Sequence, residues 1–153
     1  MMFTKNHLLI LIFFFVVQCG YEIVNQKELN QFYIKSFELE GEKRLNHKIK
    51  GNILFYAKDT NKTAFNIKIK TNKSKSILEK NIKNEIIKYQ IKINSITEIY
   101  NFETGNLSIN TFSEQGDFSV GSKNIDTRNN EKKLIEDLTK RISEKILKKL
   151  RSI

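Results

Sequence analysis

Apolar residues in this chain fall into a few distinct patterns, each with its own geometry. From Leu8 to Val17 the run LLILIFFFVV is unbroken. It is short for a membrane-spanning helix, which needs roughly 20 apolar residues, and has the length of a signal-peptide hydrophobic region. From Phe32 to Leu39, FYIKSFEL is rich in aromatic and β-branched residues and reads as a strand, ended by Gly41. Arg44–Ala57 then sets Leu45, Ile49, Ile53 and Tyr56 along one stripe of an amphipathic helix. Gly51 inside it costs about 1 kcal/mol against Ala, so this helix relies on packing. Asp59–Thr63 reads as a polar turn.

Two segments then alternate strictly. In AFNIKIKTN, Phe65, Ile67, Ile69 and Thr71 face one way and Asn66, Lys68, Lys70 and Asn72 the other. In IKYQIKIN, Ile87, Tyr89, Ile91 and Ile93 oppose Lys88, Gln90, Lys92 and Asn94. Period-two alternation predicts strands with one face buried and one wet. Lys73–Asn84 between them is a charged connection, strand ends around a turn. A fourth strand is expected within Leu107–Val120, after the turn signal Glu103-Thr104-Gly105-Asn106. Finally Leu134, Leu138, Ile142, Ile146 and Leu150 recur every four residues, with Ile135 and Leu147 widening the stripe of a long helix. Thr127, Asn129 or Asn130 is expected to cap it, and Lys148, Lys149 and Arg151 suit the negative end of its dipole. The order β-α-β-β-β-α predicts an α+β two-layer sandwich, with two helices on one face of a four-stranded antiparallel or mixed sheet. It also predicts one domain, residues 19–153, behind a signal peptide at residues 1–18.

Charge adds a question about partners. The net charge of +10 points to an anionic partner such as nucleic acid, a lipid headgroup or a phosphorylated glycolipid. A chain rich in Lys, Asn and Ile, with no Pro and no Trp, would reach the same charge through AT-rich codon bias. The wet strand faces read Asn, Lys, Lys, Asn and Lys, Gln, Lys, Asn, without the interleaved aromatics that stack on single-stranded bases, so no nucleic-acid partner is expected. Lys68, Lys70, Lys88 and Lys92 are the candidate contacts to an anionic ligand or an acidic barrel wall, since four ammonium groups on adjoining strands repel one another.

Chemistry is sparse. One cysteine, Cys19, excludes an intrachain disulfide, a cysteine zinc cluster and a Cys-x-x-Cys pair. After residue 18 the one histidine is His47, with no triad or ligand spacing around it, and a solvated or half-buried role is expected. Glu38, Glu40 and Glu42 read as a solvated edge, and the six glycines form no phosphate-cradling loop. The expectation is a binding protein, with no enzyme activity, cofactor or metal.

The position of Cys19 carries the next step. VVQCG, Val16 to Gly20, resembles a bacterial lipobox: Val16 and Val17 fit its aliphatic positions, while Gln18 is larger than the usual Gly, Ala or Ser. That resemblance implies cleavage before Cys19, a thioether from its thiol to diacylglycerol, and a further acyl chain such as palmitate on the freed amine. Two or three acyl chains anchor stably where one is marginal. Gly20, in place of an Asp, implies sorting to the outer membrane.

The opening CGYEIV, the stretch FELEGEKRLNHKIKGNILF, the ETG turn and GDFSVGSKNIDTRNNEKKLIEDLTKRISEKILKKL together resemble the LptE family of lipopolysaccharide-assembly lipoproteins, in its divergent, alphaproteobacterial-like branch. The likeness is one of order and spacing over nearly all of residues 19–153. It implies a lipid-anchored protein on the periplasmic side of the outer membrane, plugging the lumen of a β-barrel LptD-like protein. It further implies help in assembling that barrel and inserting lipopolysaccharide into the outer leaflet. A lipoprotein subunit or pilot of another trans-envelope secretion complex is the alternative.

Overall fold

In the computed structural model the described residues are 32–57 and 63–153; the apolar leader, Cys19 and residues 59–62 of the expected turn lie outside them. Strand β1 (Phe32–Gly41), helix α1 (Lys43–Tyr56), strands β2 (Thr63–Lys80), β3 (Ile86–Asn101) and β4 (Leu107–Ser119), and helix α2 (Asn124–Arg151) follow in that order. The sheet order is β1-β2-β3-β4. β1 pairs parallel to β2, while β2–β3 and β3–β4 are antiparallel, so the sheet is mixed. A parallel pair needs a crossover to return the chain to the starting edge, and α1 supplies it. The expected β-α-β-β-β-α architecture is the observed one.

Three local details explain how these residues build that layout. In β1 the buried positions are Phe32 and Ile34, then Phe37 and Leu39 turn inward, a change of parity. The register shift between Ile34 and Ser36 absorbs Lys35 as a bulge and returns the second pair to the core. At the end of β1, Gly41 has φ +85, and a Cβ there would lie 2.1 Å from the Thr71 carbonyl oxygen; glycine lets the chain turn against β2 into α1. Beneath α2, a Cβ on Gly116 would lie 2.7 Å from a Leu134 methyl, so glycine in β4 admits the helix.

The core lies between the sheet and the two helices. Ile49 and Ile53 of α1, Ile67 and Ile69 of β2, Ile91 and Ile93 of β3, and Leu138, Ile142 and Ile146 of α2 are buried. Each such side chain contributes about 1.5–3 kcal/mol of burial. Asn46 is also buried: its Nδ2 donates to the Glu40 carbonyl at 2.7 Å and its Oδ1 accepts from Thr71 Oγ1 at 2.9 Å, tying α1 to both neighbouring strands.

Two boundaries differ from expectation. α2 begins at Asn124, so Thr127, Asn129 and Asn130 lie inside the helix instead of capping it. Asp126 accepts from the Lys123 N–H at 3.3 Å, and Thr127 Oγ1 accepts from the Gly121 N–H at 2.9 Å, closing the loop before the helix. In the Lys73–Asn84 connection the strand ends dominate: β2 runs to Lys80, and Asn81 Oδ1 accepts from the N–H groups of Lys83 and Glu85 at 2.9 and 3.0 Å to make the turn.

Candidate functional site

Both helices lie on one side of the sheet. Lys68, Lys70, Lys88 and Lys92 sit on β2 and β3 at positions alternating with buried Ile67, Ile69, Ile91 and Ile93, so all four belong to the opposite, open face. They do not form one cluster. Lys68 and Lys70 lie opposite Glu98 and Ile96, whereas Lys88 and Lys92 lie opposite Glu79 and Ser74, farther toward the β2–β3 turn.

Carboxylates interleave with them. Lys68 Nζ is 2.7 Å from Glu40 Oε1, Lys70 Nζ is 3.9 Å from Glu40 Oε2, and Lys88 Nζ is 3.6 Å from Glu79 and 3.7 Å from Asp117. Lys92 forms no ion pair among the described residues. The Lys68 hydrogen bond and charge, with Lys70 adding, hold the Glu40 carboxyl below its ordinary value of 4.5, and the same bond raises the Lys68 ammonium. Repulsion among four lysines therefore has an internal remedy on this face, although each exposed pair contributes little. Glu40 of the edge strand β1 supplies two of these contacts, and the parallel pairing that brings it beside Lys70 was not readable from alternation.

The same face carries an apolar cluster that alternation did not flag. Ile96 and Tyr100 of β3 adjoin Leu107 and Ile109 of β4, where Leu107 is 58% and Ile109 64% exposed. Phe102 meets Tyr100 edge-on at 5.0 Å, and Lys35 Nζ stands 4.6 Å from the Phe102 ring. A shallow hollow of about 150 Å³ runs between Glu38, Asn66, Tyr100 and Leu107. β4 has apolar residues on both faces, Leu107 and Ile109 outward and Phe112 and Phe118 inward, so its sequence pattern looked irregular.

Elsewhere the described residues offer little catalytic chemistry. His47 is exposed, and no group of three or more His, Cys, Asp or Glu among the described residues is placed to hold a metal ion. No described helix is long and apolar enough to cross a membrane.

No protein-family model and no curated protein sequence matches the chain. Solved structures do. Lipoprotein B from Nitrosomonas europaea superposes with a TM-score of 0.61 at 11% identity, covering 87% of this chain and 91% of that one. A putative lipoprotein from Caulobacter crescentus gives 0.59 at 8% identity, covering 83% and 92%. The rare lipoprotein B of Shewanella oneidensis gives 0.57 at 8% identity, covering 76% and 94%. The chain has the fold of these bacterial lipoproteins. At such low identity the likeness speaks for the fold, and it covers nearly the whole of each neighbour.

Proposed function

We propose that this protein is an envelope lipoprotein of LptE type, anchored in the outer membrane through acylated Cys19 with its domain on the periplasmic side. The observation that carries the reading is the coincidence of two independent signals. A lipobox-like VVQCG stands at residues 16–20, and the domain after it has a fold found in several bacterial lipoproteins. In this reading the domain works by binding, without a bond-making step. Its open sheet face, part ion-paired and part apolar, contacts the lumen of a β-barrel LptD-like partner, whose interior is itself polar. It assists assembly of that barrel and passage of lipopolysaccharide to the outer leaflet.

Intact-mass analysis and membrane fractionation test the anchor. Mature protein is expected to begin at a diacylated or triacylated Cys19, to fractionate with outer membrane and to bring a β-barrel through detergent purification. Cys19→Ala is expected to leave an uncleaved or mislocalised precursor. A wild-type mass that retains Met1 and lacks acyl groups would sink the reading. An acylated protein that co-purifies with a different secretion machine would replace the LptE role and leave the lipoprotein standing.

A further inference from the structure

On the helix side of the sheet, α1 and α2 begin at different heights. α1 starts just after Gly41, level with Thr71 of β2, whereas Glu131 of α2 reaches Lys75 and Asn130 reaches the Ser119 carbonyl at the top of β4. The first turns of α2 therefore rise above the start of α1. Between them opens a cleft of about 700 Å³, lined by residues of both helices and by Lys73 of β2.

The lining is strongly biased in charge. Lys48 is held by Glu136 at 2.7 Å, and Glu131 by Lys75 at 2.6 Å. Lys43, Arg44, Lys73, Arg128 and Lys132 also line the cleft and form no ion pair among the described residues; Glu42 is the one other carboxylate there. The inner wall is apolar, from buried Leu45 and half-buried Ile135. Five cations from three elements thus face one space over an apolar wall. The N-cap residue of α1, Glu42, makes no side-chain cap hydrogen bond and no acidic residue follows it in the first turn, so Lys43 and Arg44 sit unfavourably near the positive end of its dipole. An anion in the cleft offsets both the mutual repulsion and this dipole term.

We propose that the cleft binds a phosphate-bearing anion, with Arg44 and Arg128 as forked donors and Lys43, Lys73 and Lys132 as surrounding charge. The apolar wall suits a phosphorylated lipid, whose first methylenes lie against Ile135 and Leu45. This site is distinct from the open sheet face, and neither Cys19 nor a barrel enters it.

Full-length protein extracted in detergent is titrated by calorimetry with pyrophosphate, and separately with micelles doped with phosphatidic acid. Saturable binding is expected. Lys43→Gln/Arg44→Gln/Arg128→Gln, all exposed positions, is expected to weaken it about tenfold or more, by loss of charge-assisted hydrogen bonds. Lys83→Gln/Lys140→Gln/Lys148→Gln removes equal charge elsewhere and is expected to change affinity by about twofold at most, as screened distant charges do. Lipid binding at far lower concentration than pyrophosphate, with the difference lost in Ile135→Ser, names the lipid as source; equal affinities name free phosphate. Equal weakening by the two triple variants, or no saturable binding of either probe by the wild type, overturns the proposal. Failure here leaves the anchor and barrel reading untouched, because those are measured by acylation and co-purification.

Discussion

Gly41 and Gly51 show how differently two glycines in one stretch behave. Gly41 needs its positive φ and its bare Cα beside Thr71, so Gly41→Ala is expected to destabilise by about 2 kcal/mol or more. At Gly51 a Cβ would meet nothing within 4 Å, so Gly51→Ala is expected to stabilise α1 by about 0.5–1 kcal/mol. Thermal melts of the two variants should move in opposite directions. Glu40 gives a pH signature at the same scale. Its carboxyl is held below 4.5 by Lys68, so the stability it lends is present above that value and fades as pH falls through its lower folded pKa. In a carboxyl NMR titration Glu40 is expected to show a midpoint below 4.5, which Lys68→Gln brings back up. An unshifted wild-type midpoint would mean the pair does not form in solution. The sequence showed that Gly41 ends a strand. That Gly41 meets Thr71 and Glu40 meets Lys70 depends on a parallel pairing across about thirty residues, which no local pattern encodes.

At the scale of elements, legibility tracks burial. The strict alternation around Phe65–Thr71 and Ile87–Ile93 exists because helices cover those stretches, and there the predicted inward positions are the buried or half-buried ones. Past Lys73 the apolar demand on β2 relaxes: Lys75 lays its ammonium 4.4 Å from the Tyr89 ring, and alternation gives way to Ser and Lys although the ladder continues. Hydrogen bonding sustains a strand without leaving a mark in hydropathy. The C-terminal helix was the plainest element because its stripe recurs without interruption, whereas its start was misplaced because the closing carboxylate, Asp126, comes from inside the helix. The helix face is itself testable. Leu138 is fully buried and Leu138→Ala should cost about 2–5 kcal/mol. Lys140→Ala, on the exposed side, should cost about 0.5 kcal/mol or less. Equal shifts in urea midpoints would show the face to be misassigned.

For the whole molecule, order and layering were legible because six amphipathic segments have few ways to bury their stripes together. The distribution of charge was not. A net charge of +10 gives no hint that the sheet face is laced with carboxylates from β1 and β4, or that unpaired cations gather between the helices. The parallel β1–β2 pairing has a mechanical meaning as well. β1 begins at Phe32, and β2 runs in the same direction for eighteen residues, roughly 60 Å, to a turn at the opposite pole. A force applied between the start of β1 and that far turn, as the proposed anchor would allow, would slide β1 against β2 along their length. Every rung from Phe32–Thr63 to Gly41–Thr71 then carries load at once, where pulling from an antiparallel hairpin end would open them one by one. Pulled from its first strand and from that distant turn, the domain would bear strain in shear.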